Sequence, residues 1–140
     1  MTRFAVLAAL LVSLVACGGE ARPPVVALDV DVTPARSGVP MRAAYLTIAN
    51  RGETAIRIDA ASSPEFGRVE LHETVVENDV ARMRKVEQLD IAPGDEVRLE
   101  RGGLHLMLMQ PVDTPNQDGR VTLNFYDGDR LVLSVTANGT

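Results

Sequence analysis

The sequence predicts an all-β protein, an antiparallel Greek-key β-sandwich or barrel, and three observations lead to this fold class. No stretch of the chain repeats its apolar residues with the period of a helix. Glycine and proline, 11 and 8 of the 140 residues, recur throughout and mark turns. Between these turns lie short runs with alternating apolar residues, each about five to seven residues long.

The first sixteen residues, 1–16, are expected to form a secretory signal rather than part of the fold. Arg3 supplies a positive start, and the apolar stretch 4–15 that follows is too short for a bilayer, which needs about 17 residues. The stretch runs into LVACG, which resembles a bacterial lipobox and implies lipidation of Cys17. Gly18 follows instead of aspartate, which resembles lipoproteins of the Gram-negative outer membrane. An ordinary secreted protein with an incidental cysteine is the alternative.

Residues 17–26 are expected to form the lipidated N-terminus and a flexible tether, because glycine, proline and charged residues follow one another there without periodicity. Residues 27–140 then form the folded domain. About 110 residues suffice to bury a core between two sheets. Contact with the membrane is expected only through the lipid anchor.

The predicted strands follow one another along the domain with turn signals between them. They cover residues 42–48, 55–60, 68–74, 80–86, 96–100, 104–109, 120–126 and 130–136. For the last hairpin we favour a three-residue turn at 127–129, which places Phe125 opposite Leu131 and aligns the apolar residues of both strands.

Composition and charge exclude several function classes. A net charge of −5 argues against a nucleic-acid partner, which would call for an excess of lysine and arginine. One cysteine permits neither an intramolecular disulfide nor a multi-thiolate metal site, and two histidines exclude any site with three imidazoles. The chain contains no GxSxG, P-loop or GxGxxG motif. We therefore expect a protein that is not an enzyme.

The run 104–109 reads LHLMLM and has two different faces if it forms a strand. Its leucines lie on one face, whereas His105, Met107 and Met109 lie on the other. A central strand buried on both faces, with methionine filling gaps, would explain this pattern as well as a metal site would. Met109 could substitute for Met107, and Met41 has no assigned role.

A second histidine and methionine lie on neighbouring strands earlier in the chain. His72 lies on the polar face of its strand, and Met83 lies in the next strand. If Glu77 and Asn78 form the centre of the turn, His72 lies directly opposite Met83. A longer turn through Asp79 would shift this pairing by one or two residues.

These four residues, His72, Met83, His105 and Met107, have the spacing H-x10-M-x21-H-x-M. The spacing and the flanking segments AAYLTIAN, VELHE and GGLHLMLM resemble the PCuAC-type periplasmic copper chaperones over about residues 27–136. The resemblance implies a cupredoxin-like β-sandwich in the periplasm that binds a copper ion with these four side chains. It also implies delivery toward the copper centre of cytochrome c oxidase, with Sco-like thiol proteins as partners.

The chemistry of these ligands agrees with the resemblance. Thioethers are soft and uncharged and select Cu(I) over Zn(II), and imidazoles add affinity. Thiolates would be prone to oxidation in the cell envelope, whereas a Met/His site can pass copper downhill to a thiolate acceptor. Whether Cu(II) also binds stays open.

Two other functions and one surface remain open at this point. A copper-binding protein for storage, buffering or resistance would need the same site, and a metal-free β-sandwich interaction module would need none. Arg82, Arg84 and Lys85 surround Met83 in the sequence and could form either a docking patch for an acidic acceptor or a solvated strand face.

Overall fold

The computed structural model describes residues 24–112 and 119–139, so the predicted signal at 1–16 and Cys17 lie outside the described part. The described residues form strands, turns and loops, with no helix among them. Within this part of the chain there is accordingly no helix long and apolar enough to cross a membrane. The all-β, antiparallel prediction is confirmed.

The strands are 3 to 12 residues long. In order they are β1 (Val25–Val32), β2 (Met41–Asn50), β3 (Ile56–Ile58), β4 (Ala60–Ser62), β5 (Phe66–Glu77), β6 (Val80–Lys85), β7 (Leu89–Ile91), β8 (Glu96–Leu99), β9 (Leu104–Pro111), β10 (Arg120–Asp127) and β11 (Arg130–Asn138).

The main sheet carries the strands that matter for the site. Its order is β1-β2-β9-β5-β6, with β8 also paired to β2. A three-stranded sheet of order β11-β10-β4 forms the second layer, and β3 pairs with β7. All of these pairings are antiparallel. In the main sheet β9 is central and β6 lies at the edge.

The hydrophobic core lies between the two larger sheets. The main sheet contributes Leu46, Leu106 and Leu108, and the second layer contributes Leu123 and Phe125, all at most 2% exposed. Every member of the buried core cluster lies between Val25 and Leu133. The buried core of the described residues thus lies entirely after the predicted signal, and the chain without the signal is the natural unit for experiments.

Two predicted boundaries were wrong. Residues 25 and 26, assigned to the tether, already belong to β1, where Val25 is buried. The single strand predicted at 55–60 is divided at Asp59: β3 pairs with β7, whereas β4 pairs with β10. Asp59 accepts hydrogen bonds from the backbone N–H of Gly128, which holds the chain where it passes from one sheet to the other.

The predicted register of the last hairpin was also wrong. The turn has two residues, since Asp127 pairs with Arg130, and Gly128 takes the positive φ of 59° that a primed turn needs at its first position. A register shift after Phe125 then places Phe125 opposite Leu133 rather than Leu131. Leu133 is buried, and Leu131 is 52% exposed.

Candidate metal centre

The outer face of the main sheet, opposite the core leucines of β9, gathers both histidines and every methionine of the described residues. The alternation of strand side chains and the strand registers place them there. They are His72, His105, Met41, Met83, Met107 and Met109. None of these methionines belongs to the buried core, where methionine is commonly found.

The two histidines form a direct cross-strand pair. His72 on β5 lies opposite His105 on β9, and the centroids of their rings are 6.1 Å apart with an interplanar angle of 50°. His105 is 4% exposed, and the side chain of His72 is 18% exposed. Two imidazoles are therefore held side by side on hydrogen-bonded strands.

The two predicted methionine ligands flank this pair on opposite sides. Met107 lies two residues after His105 on β9 and opposite Glu70, which makes it a diagonal neighbour of His72. Met83 lies on β6 opposite Thr74, which makes it a diagonal neighbour of His72 on the other side. Diagonal neighbours are about 7–8 Å apart, within reach of a long side chain. Met107 is half-buried and Met83 is 62% exposed.

The direct pairing of His72 with Met83 does not occur, because the turn is placed one residue later than expected. Asn78 and Asp79 form its centre, with positive φ values of 52° and 61°, as a type I′ turn requires at both positions. Both residue types tolerate this conformation. His72 consequently pairs with Lys85 instead of Met83.

The two rings make different hydrogen bonds. Nδ1–H of His105 donates to the carbonyl oxygen of Gly103 at 3.0 Å. Nε2–H of His72 donates to Oε2 of Glu70 at 3.0 Å, and Nδ1 of His72 is buried without a hydrogen-bond partner. A buried polar atom without a partner costs about 1–3 kcal/mol, so a metal ion bound at Nδ1 would satisfy an atom that the fold leaves unsatisfied.

Glu70 connects His72 to a cation. Nε and Nη2 of Arg68 both donate to Oε1 of Glu70, at 2.9 and 2.6 Å. The hydrogen bond from His72 lowers the pKa of Glu70, burial opposes this effect, and Arg68 lowers the pKa further. The carboxyl group is therefore ionised at neutral pH and can only accept hydrogen bonds. From the sequence, Glu70 was indistinguishable from a solvated strand residue.

The basic residues of β6 do not surround Met83 in the structure. Arg82 and Arg84 pair with Val75 and Glu73 and so lie on the face opposite Met83. Lys85 shares the face of Met83 and forms an ion pair with Glu87 at 3.0 Å. All of β6 is exposed. The arrangement therefore fits a solvated strand face better than a docking patch of basic residues around Met83.

Two further features border the site. Met109 pairs directly with Met41 on β2 and with Arg68 on β5, one row beyond Met107. A cavity of about 220 Å³ opens toward the core beside Glu70, Lys85 and Leu106, and none of the four predicted metal ligands lines it. The four predicted metal ligands thus lie on the sheet surface outside the lining of this cavity.

Comparison with known proteins matches the chain to sequences described as putative lipoproteins. A family model described as "Putative lipoprotein LpqE-like" matches residues 25–137. "Putative lipoprotein Lxx21020" from Leifsonia xyli subsp. xyli (strain CTCB07) is 32% identical over 103 residues, which are 71% of this chain. The matched region spans 61% of the length of that relative.

Solved structures share the fold. The Cu(I)-bound solution structure of DR1885 from Deinococcus radiodurans has a TM-score of 0.60 and 28% identity, covering 87% of this chain and 81% of that one. The copper-bound PCuAC domain from PmoF2 has a TM-score of 0.61 and 14% identity, covering 86% and 93%. The resemblance to PCuAC proteins noted in the sequence is confirmed at the level of the fold.

Proposed function

Because the chain belongs to the LpqE-like family of lipoproteins and has the fold of PCuAC domains, we propose that it is a copper metallochaperone of the bacterial envelope. In this proposal His72, Met83, His105 and Met107 bind Cu(I). The observation that carries the proposal is the direct pairing of His72 with His105, with a methionine diagonal to His72 on either side.

The donor atoms suit Cu(I). Two imidazole nitrogens and two thioether sulfurs form a soft, neutral ligand set, and the sulfurs discriminate against Mg(II) and Zn(II). Three of the four residues lie on the central strands β5 and β9. The DR1885 structure, 28% identical to this chain, is named as a Cu(I) complex, which supports the choice of metal.

The exposure of Met83 favours transfer over storage. A storage site would be expected to enclose its ion, whereas here one predicted ligand lies on the edge strand with 62% of its surface exposed. An acceptor thiolate could displace this thioether without unfolding any part of the sheet. We propose Sco-like thiol proteins or the copper-binding subunit of cytochrome c oxidase as acceptors, as the sequence resemblance implies.

A lipid anchor at Cys17 completes the proposal. The lipobox-like sequence at this position and the lipoprotein names of the family and of the Leifsonia relative support it. The anchor would hold the domain at a periplasmic membrane surface, and Gly18 favours the outer membrane.

Titration with Cu(I) against a colorimetric chelator tests copper binding. We expect the chain beginning at Gly18 to bind one equivalent tightly, and the double variant His105→Ala/Met107→Ala to lose it. A wild-type chain that fails to compete with the chelator would leave the metal-free interaction module as the better interpretation.

Gene deletion separates the chaperone from a storage or resistance protein. A chaperone deletion should lower the amount of assembled cytochrome c oxidase at limiting copper, and restored copper supply should rescue it. Sensitivity to excess copper with normal oxidase levels would instead indicate storage or resistance.

A further inference from the structure

The hydrogen bond of His105 determines which of its ring nitrogens can bind a metal. Its Nδ1 lies 3.0 Å from the carbonyl oxygen of Gly103, which can only accept a hydrogen bond. Nδ1 therefore carries the proton, and in the neutral ring the lone pair lies on Nε2.

His72 has the opposite arrangement. Its Nε2 lies 3.0 Å from Oε2 of Glu70, a carboxylate oxygen that likewise accepts. Nε2 therefore carries the proton, and the lone pair of the neutral ring lies on Nδ1. This nitrogen is buried and has no hydrogen-bond partner. A lone pair kept free of hydrogen bonds is what a metal ligand needs.

We propose that Glu70 is a positioning residue of the copper site, which holds His72 protonated at Nε2 so that it binds copper through Nδ1, whereas His105 binds through Nε2. The inference rests on the proposed function for the identity of the metal. It goes further by naming the ligand atom of each ring and the residue that determines it for His72.

Arg68 keeps Glu70 in the required position. Its two hydrogen bonds to Oε1 leave Oε2 directed at His72. Hydrogen bonding of a carboxylate to a metal-binding histidine orients the ring and raises its basicity as a ligand. Alternate positions of β5 carry Arg68, Glu70 and His72, so all three side chains lie on the same face. Glu70 lies between the other two and can therefore contact both.

Nitrogen NMR of the metal-free chain tests the tautomers directly. Long-range proton–nitrogen correlation spectra at about pH 8, where imidazoles are neutral, identify the protonated nitrogen of each ring. We expect Nε2–H for His72 and Nδ1–H for His105. In Glu70→Ala, His72 should become a mixture of tautomers while His105 is unchanged. Protonation of wild-type His72 at Nδ1 would overturn the proposal.

Cu(I) affinity tests the consequence for the metal. Loss of a carboxylate behind a metal-binding histidine typically weakens binding about 10- to 100-fold, which we expect for Glu70→Ala. Glu73→Ala is the matched control, because Glu73 has the same charge and lies on the same strand but on the opposite face. Its affinity should stay within about twofold of the wild type. Equal losses in the two variants would also overturn the proposal.

One further variant and one combination of results complete the test. If Glu70→Ala does not fold, Glu70→Gln replaces it: its amide oxygen can still accept from Nε2–H, so it should retain the tautomer with a smaller loss of affinity. If His72 is protonated at Nε2 and Glu70→Ala removes this preference, yet the wild type binds no Cu(I), the proposed function is wrong and the control of the ring by Glu70 stands.

Discussion

His72 and His105 lie directly opposite each other on antiparallel strands, with ring centroids 6.1 Å apart, in the central region of the main sheet. The backbone hydrogen bonds of β5 and β9 fix the separation of the two residues when the protein folds. The entropy of bringing the two imidazoles together is thus lost on folding rather than on binding. A metal ion that uses both rings meets a site that is largely assembled.

Met107→Leu and Met109→Leu form a matched pair of variants on one strand and one face. We expect Met107→Leu to weaken Cu(I) binding about 10- to 100-fold, because it removes a sulfur diagonal to His72. Met109→Leu should change the affinity less than about twofold, because Met109 lies one row farther away. Chelator competition measures the Cu(I) affinity of both variants. A larger loss of affinity in Met109→Leu would mean that Met109, and not Met107, is the ligand.

Met83→Ala should separate binding from stability. Met83 is 62% exposed, so its truncation should change the free energy of unfolding by no more than about 0.5 kcal/mol. Cu(I) affinity should nevertheless fall, because the diagonal thioether is lost. Urea unfolding and chelator competition on the same sample measure the two effects. Unchanged Cu(I) affinity would exclude Met83 as a ligand. Val80→Ala is the control, because Val80 is also exposed on β6.

Copper affinity should fall in acid. An imidazole must be neutral to bind a metal, so protons compete with Cu(I) for imidazole ligands in acid. Thioethers do not titrate in this range. Affinity measured by competition at pH 8, 7, 6 and 5, with correction for the protonation of the chelator, should decline as the pH falls. A constant affinity would mean that neither histidine binds the metal.

Leu133→Ala and Leu131→Ala test the register of the last hairpin. Leu133 is buried opposite Phe125, so its truncation should lower the free energy of unfolding by about 2–5 kcal/mol. Leu131 is exposed, and its truncation should cost about 0.5 kcal/mol or less. Urea denaturation of both variants measures the difference. Large and similar losses of stability in both variants would instead support the register predicted from the sequence, in which both leucines face the core.

Asp90→Asn should make the free energy of unfolding less dependent on pH in acid. Nε of Arg57 donates to Oδ1 of Asp90 at 2.8 Å, and this hydrogen bond lowers the pKa of Asp90. A carboxyl with a lowered pKa in the folded state adds stability above its unfolded pKa of about 3.9, and this stability is lost as the pH falls through the folded value.

The variant should therefore lose less stability than the wild type as the pH is lowered through about 4 to 3. Urea denaturation at a series of pH values measures this difference. Both side chains are 57% exposed, so the effect is small, and high salt should reduce it. A difference that persists unchanged in 1 M salt would contradict an electrostatic origin.

Most strands were predictable from the sequence, but β1 and β7 were missed. The runs in β2, β5, β9 and β10 alternate regularly, and each was found within a few residues of its observed bounds. β1 was missed because it contains Asp29 and Asp31, which are unfavourable in strands, and Asp29 has a positive φ of 52° at a register shift. β7 has three residues, too few to show a period.

Which residues share the outer face followed from the sequence, but their pairing did not. Alternation alone assigns His105 and Met107 to one face, and His72 to a polar face. The row in which each residue lies depends on the turns, and the choice of Asn78 and Asp79 for the turn centre moved Met83 two residues along. The sequence did not distinguish Glu70 from a solvated strand residue, because its hydrogen bonds to Arg68 and His72 involve side-chain conformations that spacing does not determine.

The edge position of β6 has a consequence for self-association. An edge strand offers unpaired backbone groups to the edge of another sheet and so invites aggregation. Three of the six residues of β6 are cationic, namely Arg82, Arg84 and Lys85. Two copies meeting edge to edge in this region would bring like charges together across the new strand pair, which is unfavourable. The basic residues of β6 thus oppose growth of the sheet from one molecule into the next while leaving the face that carries Met83 open.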